Sequence, residues 1–240
     1  MKKLLIVLTL LALPIAAYSQ TAQQPAQQPA TPAQPATPAQ TPTPAATPPA
    51  QNEPSANAAG HEFSPLQEKT VNYKDWTLPN LTSDEPENLR KLMTGKKLVM
   101  IVYFAPWCRN WRFEMPVAVR LYQKYKDQGF QVIGVSEYAP RTEVYSHFGA
   151  TGAPFPIVAE SESREDKSKT LHYTYRQLTG DTRNWGSPWN IFLEPAKVNK
   201  KGDVLTEKAW IVNGELIEDE VDKFIATKLL PSTSVKSDPK

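Results

Sequence analysis

Cys108 is the only cysteine in 240 residues, so any sulfur chemistry in this chain is one-thiol chemistry. It stands in the run Trp107-Cys108-Arg109-Asn110-Trp111, after an apolar stretch that ends at Ala105-Pro106 and before a segment, 112–127, that reads as a helix. A cysteine at a strand-to-helix turn meets unpaired N–H groups and the positive end of the helix dipole, which favour thiolate over thiol. Arg109 would add positive charge if it folds back. A lone thiol is reactive, paired with another molecule, or buried as a small inert hydrophobe. A strand end followed by Pro-Trp is a poor place to hide sulfur, which favours the first.

The residues Trp107-Cys108-x-x-Trp111-x-x-Glu114-Met115-Pro116 resemble the active-site signature of exported thioredoxin-like redoxins of the TlpA/ResA type. That family usually carries W-C-x-x-C-x-x-E-x-P after a hydrophobic strand, and here Trp111 stands in place of the second cysteine. The likeness runs over about 76–230 and includes Trp76-Thr-Leu-Pro-Asn-Leu81, similar to the family's short opening segment. It implies a cis-proline loop facing the thiol, which points to Ser187-Pro188 just before the strand at 189–193. It also implies an acidic residue near the sulfur, which points to Glu114. A carboxylate there raises a thiol's pKa if ionised, or passes protons if its own is raised; a solvated helix carboxylate is the plain alternative. The resemblance places substrate around Trp107, Arg109, Asn110, Trp111, Ser187 and Pro188, with Cys108 and Glu114 as the catalytic pair.

Trp111 changes the chemistry. In a dithiol enzyme the second cysteine resolves the mixed disulfide formed by the first, and Trp cannot attack. Either an external thiol releases the mixed disulfide, or turnover is lost and binding kept. Trp107, Trp111, Trp185 and Trp189 could form an aromatic platform around the sulfur, although core packing is the plainer reading for each. A peroxide-reducing role is a third possibility, but the P-x-x-x-T-x-x-C pattern of such enzymes is broken at Ala105.

The elements that must hold these residues follow from periodicity. Residues 97–104 and 130–135 are continuous apolar runs that predict strands buried on both faces. Helices are expected at 86–93 (capped by Ser83 or Asp84), 112–127, 142–148, 167–178 and 216–230. In the second of these, Phe113, Val117, Leu121 and Tyr125 form the inward stripe, and Pro116 should kink it. Strands are expected at 155–158, 189–193 and 204–212, with Asn199-Lys-Lys-Gly202 as a hairpin turn. The order predicts an α/β thioredoxin-like fold, a mixed central sheet flanked by helices, with a βα insertion.

Outside this domain, 61–231, the chain has a different character. Met1-Lys2-Lys3, an apolar core at 4–17 and Ala17-Tyr18-Ser19 read as a signal peptide, 1–19, with an uncleaved anchor as the alternative. This implies export to a periplasmic or extracellular place and no membrane span after cleavage. Residues 20–60 are almost all Pro, Ala, Gln and Thr with almost nothing to bury, as expected of a disordered linker that is either a spacer or passive. Residues 232–240 read as a flexible tail. The balance of 27 Lys+Arg against 25 Asp+Glu leaves no basic excess for nucleic acid. His61, His147 and His172 have no ligand-like spacing, so neither metal nor cofactor is expected. Partners would be thiol- or disulfide-bearing proteins or small thiols.

Overall fold

Seven consecutive buried residues, Leu98–Phe104, form the strand on which the molecule is built. Their alternation divides the core. Leu98, Met100, Val102 and Phe104 pack into one apolar cluster, while Val99, Ile101 and Tyr103 pack into the other. Both faces are therefore covered, which is why the strand reads as an unbroken apolar run.

The computed structural model describes residues 60–230 apart from 82 and 84. The expected signal peptide, nearly all of the linker, the tail and the candidate cap Asp84 lie outside the described residues. In chain order the elements are β1 (Phe63–Ser64), β2 (Gln67–Thr70), β3 (Thr77–Pro79), β4 (Pro86–Asn88), α1 (Leu89–Met93), β5 (Leu98–Phe104) and α2 (Arg109–Tyr125). There follow β6 (Phe130–Ser136), α3 (Arg141–Phe148), β7 (Ile157–Ala159), α4 (Leu171–Thr179), β8 (Trp189–Leu193), β9 (Lys208–Val212), β10 (Glu215–Leu216) and α5 (Glu218–Leu229).

The main sheet has the order β2-β9-β8-β5-β6-β7. β5, β6 and β7 run parallel, whereas β8 is antiparallel to β5 and β9 to β8. This mixed sheet, with α2 and α5 on one face and α1 and α4 on the other, is the expected thioredoxin-like arrangement. β7, a 3-10 segment at Arg164–Lys169 and α4 form the βα insertion between β6 and β8.

Several boundaries move for identifiable reasons. The segment 86–93 is not one helix. Pro86–Asn88 pairs with Thr77–Pro79, and the helix begins only after Asn88, whose side-chain oxygen accepts from the N–H groups of Arg90 and Lys91. Likewise α4 starts at Leu171, because the Thr170 hydroxyl accepts from Tyr173 N–H at 3.0 Å. The strand expected at 204–212 is regular only from Lys208. Leu216 belongs to β10 and not to the last helix. α2 begins at Arg109, one residue after the thiol, and contains Pro116 without interruption. Its inward stripe is Trp111, Glu114, Ala118, Leu121 and Tyr125. Phe113 and Val117, expected inside, are only half-buried.

Candidate functional site

Cys108 is the N-cap of α2. Its N–H donates to Ala105 O at 2.9 Å, and its carbonyl accepts from Arg112 N–H at 3.2 Å. The parallel strand end and the first helical turn thus fix the backbone on both sides of the sulfur. The side chain is half-buried, and its Sγ–H donates to Ser187 O at 3.1 Å. Ser187 also accepts Ala105 N–H on its hydroxyl at 2.9 Å. The Ser187–Pro188 peptide bond is cis. The structure therefore brings Cys108, Ser187 and Pro188 together.

Two sets of residues that the sequence did not single out for this purpose hold that loop. In the first, His172 Nε2 donates to Gly186 O at 3.2 Å, and the Tyr138 hydroxyl meets His172 Nδ1 at 3.0 Å. A carbonyl can only accept, so Nε2 carries the hydrogen and Nδ1 receives the phenol's. Burial holds His172 well below the usual histidine range, helped by the Arg176 charge. In the second set, Arg183 donates to Pro188 O at 2.7 Å and to Asp181 Oδ2 at 2.7 Å. Arg176, itself buried, donates to the same carboxylate at 3.2 Å and to Arg183 O. The signal in the sequence was an Asp and two Arg within the twelve residues before the proline.

Glu114 is buried and lies against the strand that follows the cis-proline. Its Oε2 accepts from Leu216 N–H at 2.9 Å and Asn190 Nδ2 at 3.2 Å, while Oε1 has no partner. Burial pushes the carboxyl up to about 8, against the pull of those two donors. A carboxyl with that value can hold or release a proton near neutral pH.

The aromatic platform is smaller than expected. Trp107 donates its indole N–H to Tyr138 O at 3.1 Å and meets Trp185 edge-on at 5.2 Å. Arg164 lies over Trp107 at 4.3 Å and Lys167 over Trp185 at 4.9 Å. Trp111 and Trp189 are fully buried, so neither offers a surface to substrate. Trp111 stacks on Phe104 at 4.4 Å and donates to His147 Nε2 at 2.9 Å. Asn110 is also buried, in the first turn of α2. Arg109 is exposed, but its guanidinium lies over Phe113 at 5.1 Å. Among the described residues no group of His, Cys, Asp and Glu could hold a metal ion, and no helix is long and apolar enough to cross a membrane.

Residues 71–176 match the model of the AhpC/TSA family. Over 129 residues the chain is 31% identical to the thiol-disulfide oxidoreductase ResA of Geobacillus kaustophilus, covering 54% of this chain and 62% of that protein. To ResA of Geobacillus thermodenitrificans it is 27% identical, covering 40% of this chain and 57% of that one. The chain thus spans about three fifths of the length of these curated relatives. It also superposes on a thioredoxin-family thiol:disulfide interchange protein from Chlorobium tepidum with TM-score 0.49 and 16% identity, covering 68% and 98% of the two chains. The chain is similar to thioredoxin-like redoxins of the TlpA/ResA type, with Trp111 at the place of the second cysteine.

Proposed function

We infer that this protein is an exported thiol–disulfide oxidoreductase that works by monothiol exchange, Cys108 being the nucleophile. The observation that carries the reading is the cradle of Cys108: a half-buried sulfur at a helix N-cap, bonded at 3.1 Å to the carbonyl before a cis-proline. An extended partner chain docking beside that loop would present its disulfide to the sulfur. The Cys108 thiolate attacks one sulfur of the partner disulfide, a mixed disulfide forms, and the other partner sulfur leaves and takes up a proton. Glu114 supplies a buried carboxyl near the same loop for proton transfer. Release of the mixed disulfide falls to an external thiol, because position 111 is Trp. Export rests on the signal-like residues 1–19.

A redox-inactive binding or chaperone-like module is the second reading. It is favoured by the burial of Trp111, which fills the resolving position with core and leaves the cis-proline loop in place. The peroxide-reducing reading has less support. Ala105 brings no hydroxyl to the site, and its N–H is already given to Ser187.

An insulin-reduction assay with and without added glutathione divides these readings. Monothiol exchange predicts turnover only with the added thiol, and its loss in Cys108→Ser. Equal rates in wild type and Cys108→Ser would leave the binding module, and consumption of peroxide would bring back the third reading.

A further inference from the structure

Between the start of α2 and α3 lies a cleft of about 300 Å³ lined by Pro106, Trp107, Arg112, Glu143, Ser146 and His147. Its polar groups are of different kinds. Arg112 uses Nε on Pro106 O at 3.1 Å, which fixes the guanidinium. Its two terminal nitrogens make no hydrogen bond or ion pair among the described residues. The Glu143 carboxylate likewise has no partner there. His147 Nε2 is occupied as acceptor of the Trp111 indole N–H. The ring hydrogen is therefore on Nδ1, where it can donate. Burial and the Arg112 charge lower the histidine's pKa, so it is a neutral donor at neutral pH. Ser146 gives its hydroxyl hydrogen to Thr142 O at 2.9 Å, which leaves its oxygen to accept.

A fixed cation, an anion, a neutral N–H and a hydroxyl acceptor in one small cleft suit a zwitterion. A simple anion would meet Glu143, and a simple amine would meet Arg112, each a like-charge penalty. The residues that line the cleft also flank Cys108. Pro106 and Trp107 immediately precede Cys108, and Arg112 N–H bonds Cys108 O at 3.2 Å. We propose that this cleft holds the α-amino-acid head of a small thiol, carboxylate on Arg112 and ammonium on Glu143, and that this thiol is the external resolver which Trp111 makes necessary. The proposal rests on the exchange reading.

The chemistry balances without any other reactant. The docked thiolate attacks Cys108 Sγ of the mixed disulfide, a new disulfide forms between Cys108 and the small thiol, and the partner leaves as a thiolate that takes up a proton. A second molecule of the same thiol attacks the small-thiol sulfur and restores the Cys108 thiolate. In sum, one partner disulfide is reduced while two small thiols are oxidised to their disulfide.

The test uses full-length protein whose Cys108 carries thionitrobenzoate, and measures release of the coloured thiolate by glutathione, cysteine, cysteamine, 3-mercaptopropionate and 2-mercaptoethanol. Each rate is divided by that of the same thiol on a free thionitrobenzoate disulfide, to remove intrinsic reactivity. Thiols with both head charges should be favoured by about fivefold or more over those with one or none, a preference of the size two exposed charge contacts supply. Glutathione and cysteine differ in reach, so their ratio tells which length spans the cleft. Arg112→Gln should remove the advantage that carboxylate gives, and Glu143→Gln the advantage that ammonium gives. General damage to the fold would not produce that crossed pattern. Equal normalised rates for all five thiols would overturn the head-group site and leave exchange standing. Failure of Cys108 to form the adduct in native protein would overturn the exchange reading and this proposal with it.

Discussion

At the residue scale the chemistry turns on Trp111 and Glu114, adjacent on one face of α2 by their spacing of three. Trp111 is core. It stacks on Phe104 and gives its only hydrogen to His147. Trp111→Cys would restore the spacing of a dithiol pair, but it removes a fully buried ring and leaves His147 Nε2 unpartnered. The loss should be about 3–5 kcal/mol, as for other large-to-small changes in a packed core. The expected outcome is a folded variant with a clearly lower melting temperature whose reduced form reduces insulin in a single turnover without glutathione, the pair at 108 and 111 closing to a disulfide as it does so. A variant that melts like wild type would mean that the ring carries little packing energy. Glu114 makes a pH prediction. Its folded value of about 8 lies above the ordinary unfolded value of about 4.3. Between those values the native state holds a proton that the unfolded chain has released, so stability declines as pH rises through that window and levels off above it. The slope this group contributes is at most about 1.4 kcal/mol per pH unit. Glu137, also buried and raised by burial, adds a slope of its own. The difference between wild type and Glu114→Gln therefore isolates Glu114. Urea midpoints from pH 5 to 9 should converge toward the acid side and separate toward pH 8. Parallel curves would contradict a raised carboxyl.

At the element scale the sequence was informative wherever an element is buried on both faces. β5, β6 and β8 appear as apolar runs, and their limits match to within a residue or so. It was less informative where a cap decides a boundary. Asn88 and Thr170 each end the preceding segment by capturing helical N–H groups, and a polar residue does not reveal that in advance. The short strands β1, β2 and β10 escaped notice for a related reason: Gln67–Thr70 is a largely exposed edge with no apolar alternation. The site was legible in part. Cys108 and the Ser187-Pro188 loop carry a local pattern. Tyr138 reaches His172 across 34 residues, which no local pattern encodes, and Arg176 and Arg183 meet Asp181 and the proline loop through an irregular turn that has no periodicity to read. Those contacts predict that the loop is an element with its own stability. Asp181→Asn would leave Arg176, 1% exposed, without its carboxylate, and would weaken the grip of Arg183 on Pro188 O. A buried cation stripped of its partner costs about 3–5 kcal/mol. A large drop in melting temperature with slowed labelling by a disulfide substrate is expected. A neutral result would show that the ion cluster is solvated in solution.

At the scale of the whole molecule, the first described residues act as a strap closing the last part of the fold. Phe63 and Ser64 pair in parallel with Glu215 and Leu216, and Gln67–Thr70 forms the edge beyond β9. Just ahead of them, Glu62 N–H donates to the buried Glu215 at 2.8 Å and His61 Nδ1 meets the same carboxyl at 2.6 Å. Glu215 in turn flanks Leu216, whose N–H holds the Glu114 carboxylate. The strap is thus two contacts from the candidate site. Residues 61–70 are thus packed on the fold ahead of Val71, which makes a prediction about two truncations. A chain beginning at Gly60 should melt with the full-length protein and keep its exchange rate. A chain beginning at Val71 loses β1, β2 and the partners of Glu215, and turns β9 into an unprotected edge open to association. Leaving the buried Glu215 carboxyl without its hydrogen-bond partners costs about 1–3 kcal/mol or more, so a much lower melting temperature is expected, with aggregation on heating. The change should reach Glu114 as well, since β10 loses the strand that fixes it. The pH window of its stability contribution should then move toward that of an ordinary carboxylate. Thermal melts and light scattering on the two chains decide the matter: identical behaviour would show that the strap lies on the sheet without stabilising it.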